Sequence, residues 1–173
     1  MQCNFVPRKL HDRIRVIRLS SDLFRRVCAG FATGVCVVTT LGREGEPHGL
    51  TINSFASLSL NPPLVMVAVD FASPVLAVFE SSGAYAVNIL REDQRDLSIR
   101  FAELPEGRFE GVAWNSGSTG SPVIDPILGV IECRIVQAVE AGDHRILIGE
   151  VVELSCSEGR PLVFFGSGYA RLA

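Results

Sequence analysis

The sequence has little positive charge and almost no lysine. Its 173 residues carry 16 Lys and Arg against 19 Asp and Glu, which gives a net charge of −3, and Lys9 is the sole lysine. A slightly acidic chain gives no reason to expect the basic surface that binds nucleic acid. No apolar run reaches the length of about 18 residues that a membrane-spanning helix needs. We therefore expect neither nucleic acid nor a membrane as a partner.

Cysteine and histidine are present, but not in the patterns that bind metal or build a disulfide framework. The five cysteines form no C-x-x-C pair, and the three histidines are scattered. With no secretory signal, we expect reduced thiols, a cytoplasmic location and no metal site. The chain also lacks G-x-G-x-x-G and a P-loop motif, which argues against a Rossmann domain and against a P-loop nucleotide site.

Residues 1–20 differ in composition from the rest of the chain, because they are rich in basic side chains and poor in acidic ones. Such a stretch fits an extended N-terminal arm of unknown role, an upstream start codon or a mitochondrial-type presequence, and the sequence leaves these alternatives open. Residues 21–173 have the length and apolar content of one globular domain with a sizeable core. We therefore expect an arm over 1–20 and a single domain over 21–173.

The domain has the pattern of strands joined by short turns, with a few short helices. Short turns imply antiparallel pairing, and closure into a barrel would remove exposed edges, so the predicted class is all-β. The segment 64–69 is continuously apolar, which predicts a strand buried on both faces. A long loop is expected over 103–125. Other strands are predicted at 34–41, 49–60, 84–90, 127–140, 144–154 and 161–165, and helices at 22–29, 73–79 and 92–102.

The segment from Gly49 to Leu64 has a chemically unusual alternation. Numbered as one strand, Leu50, Ile52, Ala56, Leu58 and Leu60 face one way, and Thr51, Asn53, Phe55, Ser57 and Ser59 face the other. The second face carries small hydroxyls and an amide but no charge. Such a face suits a flat polar ligand, although a solvated strand face or cross-strand hydroxyl pairs would produce the same pattern.

The order of motifs after residue 20 resembles the short-chain flavin reductase family, the reductase components of two-component flavin monooxygenases. This resemblance implies a homodimeric split β-barrel with Greek-key order that binds FMN or FAD. It implies that NADH or NADPH is the reductant and that the reduced flavin leaves for a separate oxygenase. The motifs are F-A-T-G-V-C-V-V-T-T (31–40), T-I-N-S-F-A-S-L-S-L-N-P-P-L-V (51–65), A-V-N-I-L (86–90), F-E-G-V-A-W (109–114), G-D-H-R-I-L-I-G-E-V (142–151) and P-L-V-F-F-G-S-G-Y (161–169).

The resemblance also implies the residues of a flavin site. His144, in the G-D-H turn, is the candidate catalytic residue on the nicotinamide side, and Asp143 is expected to orient it. Ser73 is expected at a helix N-terminus that binds the flavin phosphate. Ser54 needs a bulge to turn toward the ligand, because strict alternation points it to the apolar side. The cofactor-binding candidates are Thr51, Asn53, Ser54, Ser57, Ser73, Phe101 and Tyr169.

Several of these positions have a structural alternative, and so does the function. Ser73 would equally serve as a plain helix cap, His144 as a turn residue and Tyr169 as a packing aromatic. A non-catalytic flavin carrier or sensor on the same barrel is the main functional alternative, since one fold hosts several functions. An oxidase of the pyridoxine-phosphate type ranks last, because no basic cluster suits that phosphate.

Overall fold

The protein is mostly antiparallel β-structure with a few short helices. A computed structural model describes residues 20–172, so the prediction made for residues 1–20 lies outside the described residues except at Ser20. The helices are α1 Ser21–Cys28, α2 Leu76–Ser82 and α3 Arg95–Glu103. The strands are β1 Thr33–Gly34, β2 Cys36–Leu41, β3 Pro47–Ile52, β4 Ala56–Leu60, β5 Pro63–Asp70, β6 Ala84–Ile89, β7 Trp114–Ser116, β8 Pro122–Ile124, β9 Gly129–Ala141, β10 His144–Cys156, β11 Val163–Phe165 and β12 Gly168–Ala170.

The main sheet has seven strands in the order β3-β2-β6-β9-β10-β5-β4, all paired antiparallel. Its centre is the long hairpin of β9 and β10, which turns at Gly142 with φ 65°. That conformation is open to glycine at little steric cost. The predicted pairing of two long strands across 141–143 is therefore confirmed.

The prediction of one strand over 49–60 is wrong. The segment forms two strands, β3 and β4, which lie at opposite edges of the seven-stranded sheet. Residues 53–55 cross from one edge to the other, so the alternation counted from β3 does not continue into β4. Leu58 and Leu60, expected on an apolar face, are 48% and 96% exposed.

Ser54 connects the two edges. Its hydroxyl donates to the carbonyl of Ala68 at 2.8 Å and accepts from the N–H of the same residue at 3.2 Å. Ala68 lies in β5 beyond the paired length of β4, whose register begins with Ala56 opposite Met66. The Ser54 hydroxyl, which both donates and accepts, therefore replaces the backbone groups that a further residue of β4 would offer to Ala68.

Two apolar clusters make up the core, and β2 separates them. Val38 packs with Phe79 and Tyr85 in the larger cluster, whereas Val37 packs with Phe101 in the smaller one. All five of these side chains have 0% exposure. In β5, by contrast, fully buried residues alternate with half-buried ones, so the prediction of burial on both faces is wrong.

Two helices show how local chemistry sets the boundaries of an element. α1, expected at 22–29, begins where Ser20 Oγ accepts from the N–H of Leu23 at 3.1 Å and so caps the helix. α2 begins at Leu76 instead of Ser73, and the residue that precedes it, Val75, offers no side-chain cap. Pro74 therefore lies before the helix rather than in its first turn. No helix within residues 20–172 has the length and apolar character needed to cross a membrane.

The segment 103–125 is not a structureless loop, because it contains the β7–β8 hairpin. Two buried side chains of the main sheet hold that hairpin. Asn88 accepts from the N–H of Ile124 at 2.9 Å, and Glu132 accepts from the N–H of Thr119 at 2.8 Å. The main sheet thus satisfies its buried polar groups by hydrogen bonds to the hairpin.

Candidate functional site

A groove with no charged lining lies where α3 packs on β3 and β12 approaches from the chain end. Its volume is about 260 Å³. Half of its lining side chains are apolar and half carry a hydroxyl or an amide, which suits a flat ligand with a polar edge. The lining residues are Val35, Thr51, Ile52, Asn53, Ser98, Ala102, Phe164 and Tyr169.

Hydrogen bonds between α3 and its neighbours fix one wall of the groove. The Thr51 hydroxyl donates to the carbonyl of Ser98 at 2.6 Å. The hydroxyls of Ser98 and Tyr169 lie 2.9 Å apart. The structure therefore brings Thr51 and Tyr169, both predicted from the sequence, to one groove, and Ser98 joins them.

Asn53 brings the crossing segment 53–55 to the groove. Asn53 lines it and is exposed, whereas the hydroxyl of Ser54 is already bonded to Ala68. Within the part of the chain that the structure describes, the backbone N–H groups of Asn53, Ser54 and Phe55 have no hydrogen-bond partner. They are three consecutive donors available to a ligand, and Ser54 can contribute through its backbone instead of its side chain. Ser57 is exposed on β4 next to a register shift.

His144 lies at a second location, the end of the β9–β10 hairpin. Its Nδ1 is 2.6 Å from Oδ1 of Asp143, and the imidazole side chain is 41% exposed. The hydrogen bond from His144 lowers the pKa of the Asp143 carboxyl below its ordinary value. An ionised Asp143 accepts a hydrogen bond from Nδ1–H of His144, so Nε2 is the ring nitrogen left for another partner. The prediction that Asp143 orients His144 fits this contact.

Ser73 lies at the same end of the molecule as His144. Its N–H donates to the carbonyl of Asp70 at 2.9 Å, and Asp70 is the register partner of His144. The N–H of Phe71 donates to the carbonyl of Asp143 at 3.0 Å, which joins the two turns. Ser73 stays a predicted phosphate contact, but without the helix N-terminus on which that expectation was based.

The two locations are joined through β5. Ser54 is bonded to Ala68, and Asp70 follows two residues later, about 7 Å along an extended strand. Asp70 pairs in turn with His144. Contacts thus connect Tyr169 to Thr51 through Ser98, and Ser54 to the hairpin end through β5.

Phe101 lies in the core rather than on the groove. Its exposure is 0%, and its ring meets that of Phe109 edge to face with centroids 4.9 Å apart. A ring without accessible surface cannot touch a bound ligand, so its contribution is to pack α3 against the sheet.

Sequence reasoning missed five of the eight groove residues, Val35, Ile52, Ser98, Ala102 and Phe164. Ser98 and Ala102 are small and four positions apart, a spacing that places them on one face of α3. Small residues on the inward face of a helix allow close approach, and that signal could have identified them. Phe164 has no such local signal. Among the described residues, 20–172, no group of His, Cys, Asp and Glu is arranged to hold a metal ion.

Comparison with known proteins identifies the family. The model of the flavin reductase like domain family matches residues 28–173, and the chain belongs to this family. It is 40% identical over 157 residues to the flavin reductase (NADH) of Kitasatospora aureofaciens, covering 88% of this chain and 82% of that protein. It is 38% identical over 149 residues to the reductase subunit HsaB of a flavin-dependent monooxygenase of Mycobacterium tuberculosis, covering 84% and 79%.

A solved structure agrees with these relatives. The NADH:FAD oxidoreductase SgcE6 of Streptomyces globisporus, in complex with NAD and FAD fragments, superposes with a TM-score of 0.82. The two proteins are 36% identical, and the match covers 87% of this chain and 91% of that one. The resemblance stated from the motifs is therefore confirmed at the level of the family and of the backbone.

Proposed function

We propose that the protein is an NAD(P)H-dependent flavin reductase that supplies reduced FMN or FAD to a separate oxygenase. The observation that carries the proposal is the uncharged groove beside residues 53–55, on a chain of the flavin reductase family. The relatives named above include an NADH-dependent flavin reductase and the reductase subunit of a monooxygenase. Both support the assignment of the reductant and of the oxygenase partner.

The residues of the groove fit a flavin. Three free N–H donors over 53–55 match the acceptor edge of an isoalloxazine ring, and the Tyr169 ring offers an aromatic surface. No charged side chain lines the groove. Backbone N–H dipoles would therefore stabilise the negative charge of a reduced flavin. When bound, the flavin would supply the redox chemistry as the acceptor of a hydride from the nicotinamide.

The chain's own contribution is to bind, orient and exclude water, since the cofactors carry the reactive atoms. We assign His144 to the nicotinamide side, with its Nδ1–H held by Asp143 and its Nε2 free toward the ligand. The Ser73 turn, joined to the same hairpin, is the proposed phosphate contact. Asn53 and Ser57 complete the flavin side, since both are exposed and within a few residues of the free donors.

We also assign the finer architecture and the assembly. A seven-stranded antiparallel sheet whose edges meet through Ser54 supports a split β-barrel of the FMN-binding type with Greek-key order. Exposed apolar side chains on β4, β9 and β10, such as Leu60, Val136 and Leu154, support a homodimer. A single domain over 21–173 and a cytoplasmic location complete the proposal.

Titration of the purified protein with FMN and FAD, followed by NADH and NADPH oxidation with and without flavin, tests the function. We expect flavin binding and NAD(P)H consumption that depends on flavin. The variant Asn53→Ala should weaken flavin binding without loss of stability, because its exposed side chain has no protein hydrogen bond. Asn115→Ala, at another exposed asparagine, is the matched control.

Two results would contradict the proposal. A protein that neither binds flavin nor oxidises NAD(P)H is not a flavin reductase. Tight flavin binding without NAD(P)H oxidation would instead indicate the flavin carrier or sensor.

A further inference from the structure

Tyr169 separates the uncharged groove from a second cavity. The neighbouring cavity has a volume of about 550 Å³ and is lined mainly by charged residues of the segment 92–96 and of the chain end. The Tyr169 side chain lines both cavities. The groove of about 260 Å³ lies just below the usual range of ligand sites, roughly 300–1,000 Å³. The position of this one ring therefore decides how much of a flat ligand the groove accepts.

The strand that carries Tyr169 gives the ring little support of its own. β12 has three residues and pairs with β11 alone in the small sheet. The ring is held by side chains instead. Phe164 meets it edge to face at 5.5 Å between centroids, and the Arg95 guanidinium lies 5.3 Å from its centroid. The hydroxyl group of the ring reaches Ser98.

Two residues of α3 contact the ring, Arg95 through its guanidinium and Ser98 through a hydrogen bond. Ser98 has 0% exposure, and its hydroxyl has no side-chain or backbone partner among the described residues other than the hydroxyl of Tyr169. If the ring moved away, a buried hydroxyl would lose its hydrogen bond, which is costly. The carbonyl of Ser98 meanwhile accepts from the hydroxyl of Thr51 in β3. One helix residue thus connects both β3 and Tyr169 to the same wall of the groove.

We propose that Ser98 is a positioning residue that holds the Tyr169 ring as the aromatic wall of the flavin groove. The inference rests on the proposed function, because it assigns the groove to the flavin. Ser98→Ala and Tyr169→Phe each remove one partner of the same hydrogen bond, so both should raise the flavin Kd by the same factor. The flavin Kd of the double variant should not exceed that of either single variant, because the same hydrogen bond can be lost only once.

The first measurement needs no flavin. The sequence contains two tyrosines, and the other, Tyr85, is fully buried. Nitration by tetranitromethane, followed by peptide mapping, therefore reports on Tyr169. We expect nitration about two- to tenfold faster in Ser98→Ala than in the wild type, which corresponds to the loss of one hydrogen bond. Ser81→Ala is the control, because the Ser81 hydroxyl is exposed and bonds within α2.

The second measurement separates positioning from mere stability. In Ser98→Ala and in Tyr169→Phe the Kd for flavin and the flavin KM should rise about two- to tenfold. The kcat at saturating flavin should stay within about twofold of the wild type, because the hydride donor and acceptor are unchanged. The thermal midpoint of each variant is recorded alongside.

Each outcome decides the proposal. Unchanged nitration in Ser98→Ala, additive effects in the double variant, or a lower melting temperature with an unchanged flavin Kd would overturn it. If Ser98→Ala does not fold, Tyr169→Phe decides through the flavin Kd. A wild-type protein that binds no flavin would refute the proposed function, while nitration would still show whether Ser98 holds Tyr169.

Discussion

Removal of the Ser54 hydroxyl should weaken the fold more than it weakens flavin binding. In Ser54→Ala, the N–H and the carbonyl of Ala68 both lose their partner, at 3.2 and 2.8 Å. A buried backbone group left unpaired costs about 1–3 kcal/mol, and these groups are only partly buried, so about 2 kcal/mol is expected for the pair. For a domain of this size that corresponds to a fall in Tm of about 4–8 °C.

The assay is urea or thermal unfolding monitored by circular dichroism, with Ser57→Ala as the control. Ser57 is exposed, lies three residues away and makes no hydrogen bond through its hydroxyl in the described residues. Its replacement should change the free energy of unfolding by less than about 0.5 kcal/mol. The flavin Kd is measured on both variants, since both residues were predicted to bind flavin.

The reasoning predicts a definite contrast between the two variants. Ser54→Ala should lose stability and keep a flavin Kd within about threefold, because its backbone N–H is retained. If Ser54→Ala kept its stability and lost flavin affinity tenfold or more, the hydroxyl would be a ligand contact and not a connection between strands.

Three further predictions concern the core and the hairpin end. A Cβ at Gly149 would lie 2.6 Å from that of Cys133, so Gly149→Ala should destabilise the protein by about 1–3 kcal/mol in thermal unfolding, whereas Gly34→Ala, with open space, should not. Burial raises the pKa of the Cys36 and Cys133 thiols from 9.0 to about 12. The unfolded chain therefore loses these protons first, and stability should fall as pH rises from 9 toward 12, with both thiols protected from iodoacetamide below pH 9 in peptide mapping. His144→Ala should lower kcat/KM for NADH about ten- to hundredfold at an unchanged flavin Kd, and an unchanged kcat/KM would remove His144 from the site.

Much of the fold could be predicted from the sequence, because its signals are local. The long hairpin of β9 and β10 follows from two β-rich runs around Gly142, and the Ser20 cap follows from one hydroxyl before a helix. The β7–β8 hairpin could not be predicted, because its support comes from Asn88 and Glu132, which lie far away in the sequence. Hydrogen bonds between distant residues cannot be predicted from the spacing of apolar residues along the sequence.

The site was predicted unevenly for the same reason. Three of the predicted flavin contacts, Thr51, Asn53 and Tyr169, line the groove. Phe101, predicted with them, points into the core, because α3 buries that side against the sheet. Ser98 was missed, because a single serine in a helix has no distinctive pattern until its partner, 71 residues later, is known.

The position of the site follows from the strand order. In a flat seven-stranded sheet, β3 and β4 would lie roughly 29 Å apart, since each of the six gaps is about 4.8 Å. The chain from Ile52 to Ala56 spans at most about 14 Å. The sheet must therefore curl until its edges approach, and the crossing segment lies along the seam between them. Neither edge strand pairs with residues 53–55, and their N–H groups have no backbone partner among the described residues. The seam therefore offers three consecutive backbone donors, and the first of these residues, Asn53, lines the groove.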